Sequence, residues 1–557
     1  MPVLLIGEGP AVESAEAMLA DSDVAVTRGA MSDLPAADLA IVVGLAGREG
    51  FETANVQAVE SETPWIAVEL GGIGGVPTAG LSAAITTFQP GYVCYECLRY
   101  RVEGADVQEA DEPSVERPAA RLAGSYAGLQ AIRAFSGAQV AGTVLEVPYA
   151  ERSLLPVPNC EHAPDRERSL ELDEHERPLE ETLEQAELAV DDRLGIVPWI
   201  GEHDSFPLPY YLASVTDATG WSDGQPPDRA AGVAPTWDGA FMKALGEALE
   251  RYSAGMYRTA KLSTRALDAI DGPSPESFVS VSAGAGESDP SRTVPVVQGT
   301  DLHAEESVTL PADLVFYPPP EGALGQAITT GLGLGSSGVE AVLSGLYEVL
   351  ERDGTMLAWY SSFEPLGLDV TAQTFESMVD RACGNRLDVT PLLVTQDVDV
   401  PVVSVAVTRD EYPRFALGSA ADLDAEAAAI DALSEALQNW MELRDLGPEE
   451  AREASGEIGS YAIEPGVASS MTDPSETVPA AAVGPDTIPD GREELDEVLE
   501  RMAVAGLDAY AASVTARDVE RLGFTAVRVL SPTAQPLFVD EPVFGERARA
   551  VPGELGF

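Results

Sequence analysis

Lysine is nearly absent from this 557-residue chain, which contains only Lys243 and Lys261. Basic residues number 33 against 93 acidic ones, so the formal net charge is −60. Like charges in such numbers oppose compaction at low ionic strength, whereas near molar salt the Debye length falls to about 3 Å. The composition therefore predicts a halophilic protein. It argues against nonspecific nucleic-acid binding, which depends on basic contacts to phosphate.

Cysteine, histidine and long apolar runs are also scarce. Four cysteines do not make a disulfide framework for a chain of this length, and four histidines leave few candidates for histidine acid–base catalysis. No apolar stretch approaches the roughly 18 residues needed to cross a bilayer. The short run Val3–Ile6 lacks the basic flank of a signal peptide. We therefore expect a cytoplasmic protein without a membrane partner.

The order of apolar segments predicts three regions in an α/β protein. Residues 1–150 alternate strand-like runs with helical spacing, which indicates a parallel α/β domain. Residues 151–193 are charged, contain proline and end in a helical stripe, as expected of a linker. Residues 194–557 combine long helical patterns with strand-like runs, which predicts an α+β region of sheets packed with long helices.

One eight-residue pattern recurs in the third region. It reads ALGEALER at residues 244–251 and GLYEVLER at 345–352, and a degenerate copy, ALSEALQN, occupies 432–439. A single Glu-x-x-Glu-Arg segment is typical of a solvated helix. Two near-identical copies with leucines at the same offsets instead predict a pseudo-duplicated domain with a site at its junction.

The spacing of the glutamates indicates a cation site. Residues three apart share a helix face, so each of the two complete copies presents a pair of carboxylates beside an apolar stripe. Like charges at such a face are costly to bury without a compensating cation, and Mg²⁺ prefers oxygen ligands. The arginine that follows each pair, Arg251 or Arg352, has the geometry to bind phosphate. The predicted magnesium ligands are Glu247, Glu250, Glu348 and Glu351.

These helices resemble the ATP-binding helices of the YcaO family. The segment Lys243–Ser253 is similar to the family's first glutamate motif, and Gly331–Gly335 with Glu348–Asp353 to its second. The helix ending in Glu435–Gln438 is similar to the third. The resemblance extends over roughly residues 194–557.

The resemblance implies an enzyme that uses ATP and magnesium to phosphorylate the oxygen of a peptide-backbone amide. A Cys, Ser or Thr side chain then gives a thiazoline or oxazoline, as in bacteriocin biosynthesis, whereas sulfide gives a thioamide. An amide oxygen leaves poorly until it is phosphorylated, and magnesium neutralises the charge on the transferred group. We expect a cyclodehydratase. A thioamide-forming or accessory protein, and a scaffold that presents a precursor peptide to a partner, are the alternatives.

Position by position, the resemblance implies that the four glutamates hold magnesium and that Arg352 contacts phosphate. Ser344 lies four residues before Glu348, where the family often has a polar residue, and Ser336 and Ser337 occupy a Gly-rich turn suited to nucleotide contact. No catalytic residue is identified. The implied substrate is a peptide or protein. Because no leader-binding module is evident, we expect a separate leader-binding partner, and assembly as a homodimer is a further expectation.

Three positions depart from the family pattern. Lys243 stands where many members have serine, Thr330 where asparagine is usual, and Val233 where lysine is frequent. These departures affect individual nucleotide contacts but leave the carboxylate cluster intact.

The N-terminal region resembles the Rossmann-like ThiF domain, of the ubiquitin-activating type, that accompanies YcaO in azole-forming enzymes. The segment Gln89–Leu98, followed by Arg99 and Arg101, carries this resemblance. The loop Gly7-x-Gly9 lacks the third glycine of a dinucleotide site. This incomplete loop argues against adenylating activity and favours a docking module.

A zinc site is the remaining expectation. Cys94 and Cys97 have the spacing of a zinc knuckle. Cys160 follows where the relatives have a second Cys-x-x-Cys, but Ala163 replaces its fourth cysteine and His162 is the substitute ligand. Structural zinc and a pair of buried apolar cysteines both fit this pattern.

Overall fold

The computed structural model describes residues 2–163, 168–175, 177–282, 291–320, 324, 328–453, 458–537 and 543–549. The chain folds into two compact units built from interleaved segments. Unit 1 comprises Met1–Glu167, Glu187–Trp199 and Val215–Gln225, and unit 2 comprises Arg168–Ala186, Ile200–Ser214 and Pro226–Phe557. The boundaries predicted after residues 150 and 193 fall inside segments of unit 1.

The strands of unit 1 form one main sheet with the order β2-β1-β3-β4-β7-β8-β9 and a separate two-stranded sheet, β5-β6. They are β1 (Pro2–Ile6), β2 (Ala25–Arg28), β3 (Leu39–Leu45), β4 (Trp65–Leu70), β5 (Gly72–Ile73), β6 (Val76–Pro77), β7 (Ala83–Phe88), β8 (Thr143–Val147) and β9 (Ala150–Ser153). Strands β1 to β4 run parallel, whereas β7, β8 and β9 join antiparallel. The prediction of a parallel sheet is therefore wrong for this half, where a tight turn between β8 and β9 permits only an antiparallel pair.

The helices of unit 1 are α1 (Pro10–Ala20), α2 (Gly50–Glu60), α3 (Tyr95–Glu103) and α4 (Arg117–Phe135). Pro10 opens α1, where its fixed φ suits the first helical turn. Cys94 occupies the N-cap position of α3, and Cys97 lies in the first turn of that helix. Both cysteines are therefore held by one helix end.

Unit 2 contains separate sheets with the orders β10-β11-β12, β13-β14-β22-β23-β16 and β20-β19-β18-β17-β21, and β15 pairs with β14. Their strands are β10 (Trp199–Asp204), β11 (Tyr210–Ser214), β12 (Arg229–Val233), β13 (Ser263–Ala266), β14 (Thr293–Asp301), β15 (Glu306–Pro311), β16 (Leu332–Gly335), β17 (Leu366–Asp369), β18 (Asp388–Leu393), β19 (Val402–Thr408), β20 (Phe415–Ala421), β21 (Thr477–Pro479), β22 (Tyr510–Ser513) and β23 (Thr525–Leu530). The predicted mixed α/β class, with α+β character in this part, is confirmed.

The helices associated with unit 2 include three long ones that bear the repeats, α6, α9 and α11. The set is α5 (Leu179–Glu187), α6 (Trp237–Ala254), α7 (Val279–Ser282), α8 (Ala312–Val315), α9 (Gly338–Trp359), α10 (Gln373–Gly384), α11 (Ala425–Glu453), α12 (Ile458–Ile463), α13 (Gly491–Val504) and α14 (Arg517–Arg521). Helix α11 bends at Gly447, whose φ is 80°, just before Pro448. None of the helices within the described ranges combines the length and apolar character that a bilayer crossing demands.

Helices α6, α9 and α11 each pack closely against a strand at a glycine. A Cβ atom at Gly232, Gly333 or Gly418 would lie only 2.2 Å from a backbone atom of the helix above it. The strand and helix therefore approach each other at a distance that a side chain would prevent. The first two repeats meet their strands at the same offset, at residues 240 and 244 and at residues 341 and 345, whereas the third does so one turn later, at residues 432 and 436.

Candidate functional site

The first glutamate of each repeat is fixed by the strand beneath its helix. In each case one carboxylate oxygen accepts a hydrogen bond from a backbone N–H sixteen or seventeen residues earlier in the chain. The pairs are Ala231 N with Glu247 at 2.7 Å, Gly331 N with Glu348 at 2.8 Å, and Ser419 N with Glu435 at 2.7 Å. The second oxygen of each carboxylate is left for another partner.

Polar contacts join the second and third repeats. Glu351 accepts a hydrogen bond from Ser419 Oγ at 2.7 Å, and Arg352 lies 3.1 Å from Glu351 and 3.7 Å from Glu435. The charge of Glu351 raises the pKa of Arg352, which stays fully protonated. The carboxylates of α9 and α11 therefore share one guanidinium group.

Electrostatic interactions join the first and second repeats. Burial, and then the nearby charge of Glu348, raises the pKa of Glu250 to about 8. Burial also raises the pKa of Glu348. Arg251 forms an ion pair with Glu247 at 2.8 Å. The structure thus brings all four predicted magnesium ligands, with Arg251 and Arg352, into one cluster.

The cluster is largely buried, but some of its carboxylates reach solvent. Side-chain exposure is 12% for Glu351, 30% for Glu247 and 32% for Glu435. Burial nevertheless raises the pKa of Glu351 to about 8. Carboxylates with raised pKa values are chemically suited to a divalent cation, whose charge would relieve their repulsion.

Sequence reasoning missed a third basic group, Arg528 on β23. Burial lowers its pKa to about 10, although the charges of Glu348 and Glu250 act in the opposite direction. Its guanidinium group donates hydrogen bonds to the carbonyl oxygens of Ile328 and Thr329 at 2.9 and 2.8 Å. No local pattern marks this residue. The antiparallel pairing of β23 with β16, which sets Arg528 opposite Leu332, brings it to the cluster.

Glu435 and Ser419 were also outside the predicted ligand set. Glu435 could have been found from the sequence, because it is the fourth residue of its repeat, as Glu247 and Glu348 are of theirs. The degenerate end of the third repeat, Gln438–Asn439, obscured that equivalence. Ser419 could be found only from the pairing of β20 with α11.

The predicted serines have different environments. Ser337 caps α9 by accepting a hydrogen bond from Glu340 N, and Ser336 donates its N–H and its hydroxyl group to the Glu340 carboxylate. Asp173 accepts a hydrogen bond from Gly338 N at 2.9 Å. The hydroxyl groups of Ser336 and Ser337 therefore bond to the first turn of α9, and the nucleotide contact predicted for them stays a prediction. Ser344 is exposed on α9, one turn before Glu348.

The four predicted zinc ligands lie together in unit 1. Cys94 Sγ is 3.8 Å from Cys97 Sγ, 3.5 Å from Cys160 Sγ and 3.8 Å from His162 Nδ1. Tetrahedral zinc with bonds of about 2.3 Å separates its ligand atoms by about 3.8 Å, which these distances from Cys94 match. Among the described residues, the donor atoms that all lie within 4.8 Å of one another belong to Cys94, Glu96, Cys160 and His162, without Cys97. Glu96, which sequence reasoning missed, reaches 2.8 Å from His162 Nδ1 and 3.3 Å from Cys160 Sγ.

Comparisons with known proteins agree with this architecture. The model of the family "YcaO cyclodehydratase, ATP- and Mg²⁺-binding" matches residues 231–535, which include all three repeats and Arg528. An uncharacterized protein of Methanothermobacter thermautotrophicus is 28% identical over 334 residues, which are 58% of this chain and 85% of the relative.

Two solved heterocyclases share the fold over almost the whole chain. One, solved in complex with substrate and cofactor, has a TM-score of 0.71 and 18% identity, and the match covers 97% of this chain and 82% of the other. The heterocyclase TruD has a TM-score of 0.62 and 19% identity, with 100% and 84% covered. Because the family model matches more than half of its length and the fold agrees, the chain belongs to the YcaO family of ATP- and Mg²⁺-binding proteins.

Proposed function

We propose that this protein uses ATP and Mg²⁺ to phosphorylate the oxygen of a peptide-backbone amide, and that a side chain of the same peptide then closes a thiazoline or oxazoline ring. The observation that carries the proposal is the convergence of carboxylates from α6, α9 and α11 in one recess. Family membership and the heterocyclase fold support the choice of reaction. A protein that only displayed a peptide would gain nothing from burying so many like charges.

The chain's own residues have separable roles in this proposal. Glu247, Glu250, Glu348 and Glu351 would hold Mg²⁺, with Glu435 as a further ligand, and the ion would supply charge neutralisation for a transferred phosphoryl group. Arg352 bridges Glu351 and Glu435 and so positions both carboxylates. The strand N–H groups hold one oxygen of each first glutamate and orient the other oxygen, which reduces the reorganisation that ligand binding requires.

Mass spectrometry of a treated peptide tests the reaction. The protein is incubated at high potassium chloride with ATP, Mg²⁺ and candidate precursor peptides, with and without a leader-binding partner. Loss of one water per modified residue is the expected result. Exchange of oxygen for sulfur when sulfide is present would instead identify a thioamide-forming enzyme. An unchanged peptide with no ATP turnover under any condition would favour the scaffold alternative.

Binding of Mg²⁺ is expected to stabilise the protein more at high pH than at low pH. The raised pKa values of Glu250 and Glu351, each about 8, mean that the folded chain holds protons that the unfolded chain has lost. Stability without metal therefore falls as pH rises from the ordinary carboxyl range toward 8, and Mg²⁺ binding to the ionised groups offsets this loss. Thermal unfolding with and without Mg²⁺ at about pH 6 and about pH 9 measures the effect. Equal Mg²⁺ shifts at the two pH values would contradict it.

We also propose that unit 1 is a ThiF-like docking module stabilised by structural zinc. Cys94, Cys97, Cys160 and His162 would bind the ion, and Glu96 would orient His162 or replace it. Substitution of Cys160 by serine should reduce the zinc content from about one ion per chain to near zero and lower the unfolding temperature. Cys383, which is exposed, supplies the matched control Cys383→Ser. Elemental analysis showing no zinc in the wild type would refute the site.

A further inference from the structure

The repeats of α6, α9 and α11 have a third equivalent position besides their glutamates. Lys243, Ser344 and Asp431 each lie four residues before the first glutamate of their repeat. Residues four apart share a helix face, so these side chains lie one turn away from Glu247, Glu348 and Glu435 respectively. All three are exposed. They therefore occupy the solvent side of the carboxylate cluster.

Two of these equivalent side chains form an ion pair. Lys243 Nζ lies 2.6 Å from Asp431 Oδ1, and their side chains are 48% and 55% exposed. This ion pair links α6 to α11, one helical turn before Glu247 and Glu435. Exposed pairs of this kind contribute little to stability, because water competes for both partners and fixing two long side chains costs entropy. Asp431 is therefore a partner that a more highly charged ligand can displace.

The other cations of the cluster are already engaged. Arg251 pairs with Glu247, Arg352 bridges Glu351 and Glu435, and Arg528 donates to two backbone carbonyl oxygens. A nucleoside triphosphate remains anionic after it binds one Mg²⁺, so it favours a further cation where it enters the recess. Lys243 has the required charge, exposure and location.

We infer that Lys243 releases Asp431 and binds a phosphate group of the nucleotide in its place. This inference rests on the proposed use of ATP. Lysine suits this exchange better than arginine, because its compact ammonium group on a flexible stem contacts phosphate as a point charge and reorients easily. Asp431 competes with phosphate for the same ammonium group. The two residues of one ion pair therefore have opposite effects on nucleotide affinity.

Calorimetric titration with a non-hydrolysable ATP analogue and Mg²⁺ tests the inference. In about 2 M potassium chloride, where long-range fields are screened, Lys243→Met should weaken binding about fivefold or more. Asp431→Asn should tighten it about twofold to threefold by freeing the ammonium group, and Lys243→Arg should retain most of the affinity. The matched control is Lys261→Met, which removes the other lysine, in the turn Thr259–Lys261 outside the repeat helices.

The outcomes separate this inference from the proposed function. A merely structural ion pair predicts that Lys243→Met and Asp431→Asn change affinity in the same direction, because both break the same contact. That result, with a wild type that binds the analogue, overturns the inference and leaves the proposed function standing. A wild type that does not bind the analogue overturns both. Thermal unfolding of each variant confirms that the fold is intact.

Discussion

Glu348→Gln is expected to reduce kcat/KM for ATP hydrolysis at least about 100-fold, because it removes a negative charge from the Mg²⁺ site. The substitution keeps the shape of the side chain, and its amide oxygen can still accept the hydrogen bond from Gly331 N. Burial disfavours the charged form of Glu348, so a neutral replacement should leave the unfolding temperature unchanged or raise it. Loss of activity without loss of stability is the expected combination.

A steady-state assay of phosphate release, combined with thermal unfolding, measures both effects. The control is Glu500→Gln, which removes an exposed carboxylate from helix α13 and should change neither quantity. Wild-type turnover in Glu348→Gln would show that the carboxylate cluster is not the magnesium site. If Glu348→Gln does not fold, Glu351→Gln takes its place. In that variant Ser419 can still donate its hydroxyl proton to the amide oxygen of the new side chain.

The largest expected effect on stability comes from Arg547, near the end of the described chain. Its guanidinium group makes two hydrogen bonds to the carboxylate of Asp353, at 2.6 and 2.7 Å, and contacts Asp397. Asp353, on α9 directly after Glu351 and Arg352, is 3% exposed and also accepts a hydrogen bond from Gln535 N. Arg547→Met leaves this buried carboxylate without its cation and should lower the free energy of unfolding by about 3 to 5 kcal/mol.

The stability lost in Arg547→Met should depend on pH. Burial raises the pKa of Asp353 and Arg547 opposes that rise, so removing Arg547 raises the pKa further. The variant's folded state then loses stability as pH rises from the ordinary aspartate range through the new pKa. Urea unfolding should show a smaller deficit at about pH 5 than at about pH 8, and Asp353→Asn in the same chain should recover part of it. A deficit below about 1 kcal/mol at both pH values would contradict the buried-pair interpretation.

The parts of the site that depend on local periodicity could be predicted from the sequence. The spacing of Glu247 with Glu250, and of Glu348 with Glu351, fixes a shared helix face whatever the tertiary structure. The parts that depend on strand pairing could not. Arg528 reaches the cluster only because β23 pairs with β16.

Two further features could not be decided from the local sequence. A serine pair before a long helix is as suitable for capping as for phosphate contact, and Ser336 and Ser337 are used for capping. The alternation of strands and helices in residues 1–150 predicted a parallel sheet, but alternation does not determine strand direction. From β4 onward the strand direction alternates, because β7, β8 and β9 each pair antiparallel with the strand before them in the sheet.

Iron(II)-directed backbone cleavage locates the bound metal along the chain, because Fe²⁺ in place of Mg²⁺, supplied with hydrogen peroxide and ascorbate, generates hydroxyl radicals that cut the backbone beside the site. Peptide mapping by mass spectrometry, with and without an ATP analogue, locates the cuts that require nucleotide. We expect nucleotide-dependent cuts near Glu247–Glu250 on α6, Glu348–Glu351 on α9 and Glu435 on α11. Nucleotide-dependent cuts confined to other parts of the chain would contradict it.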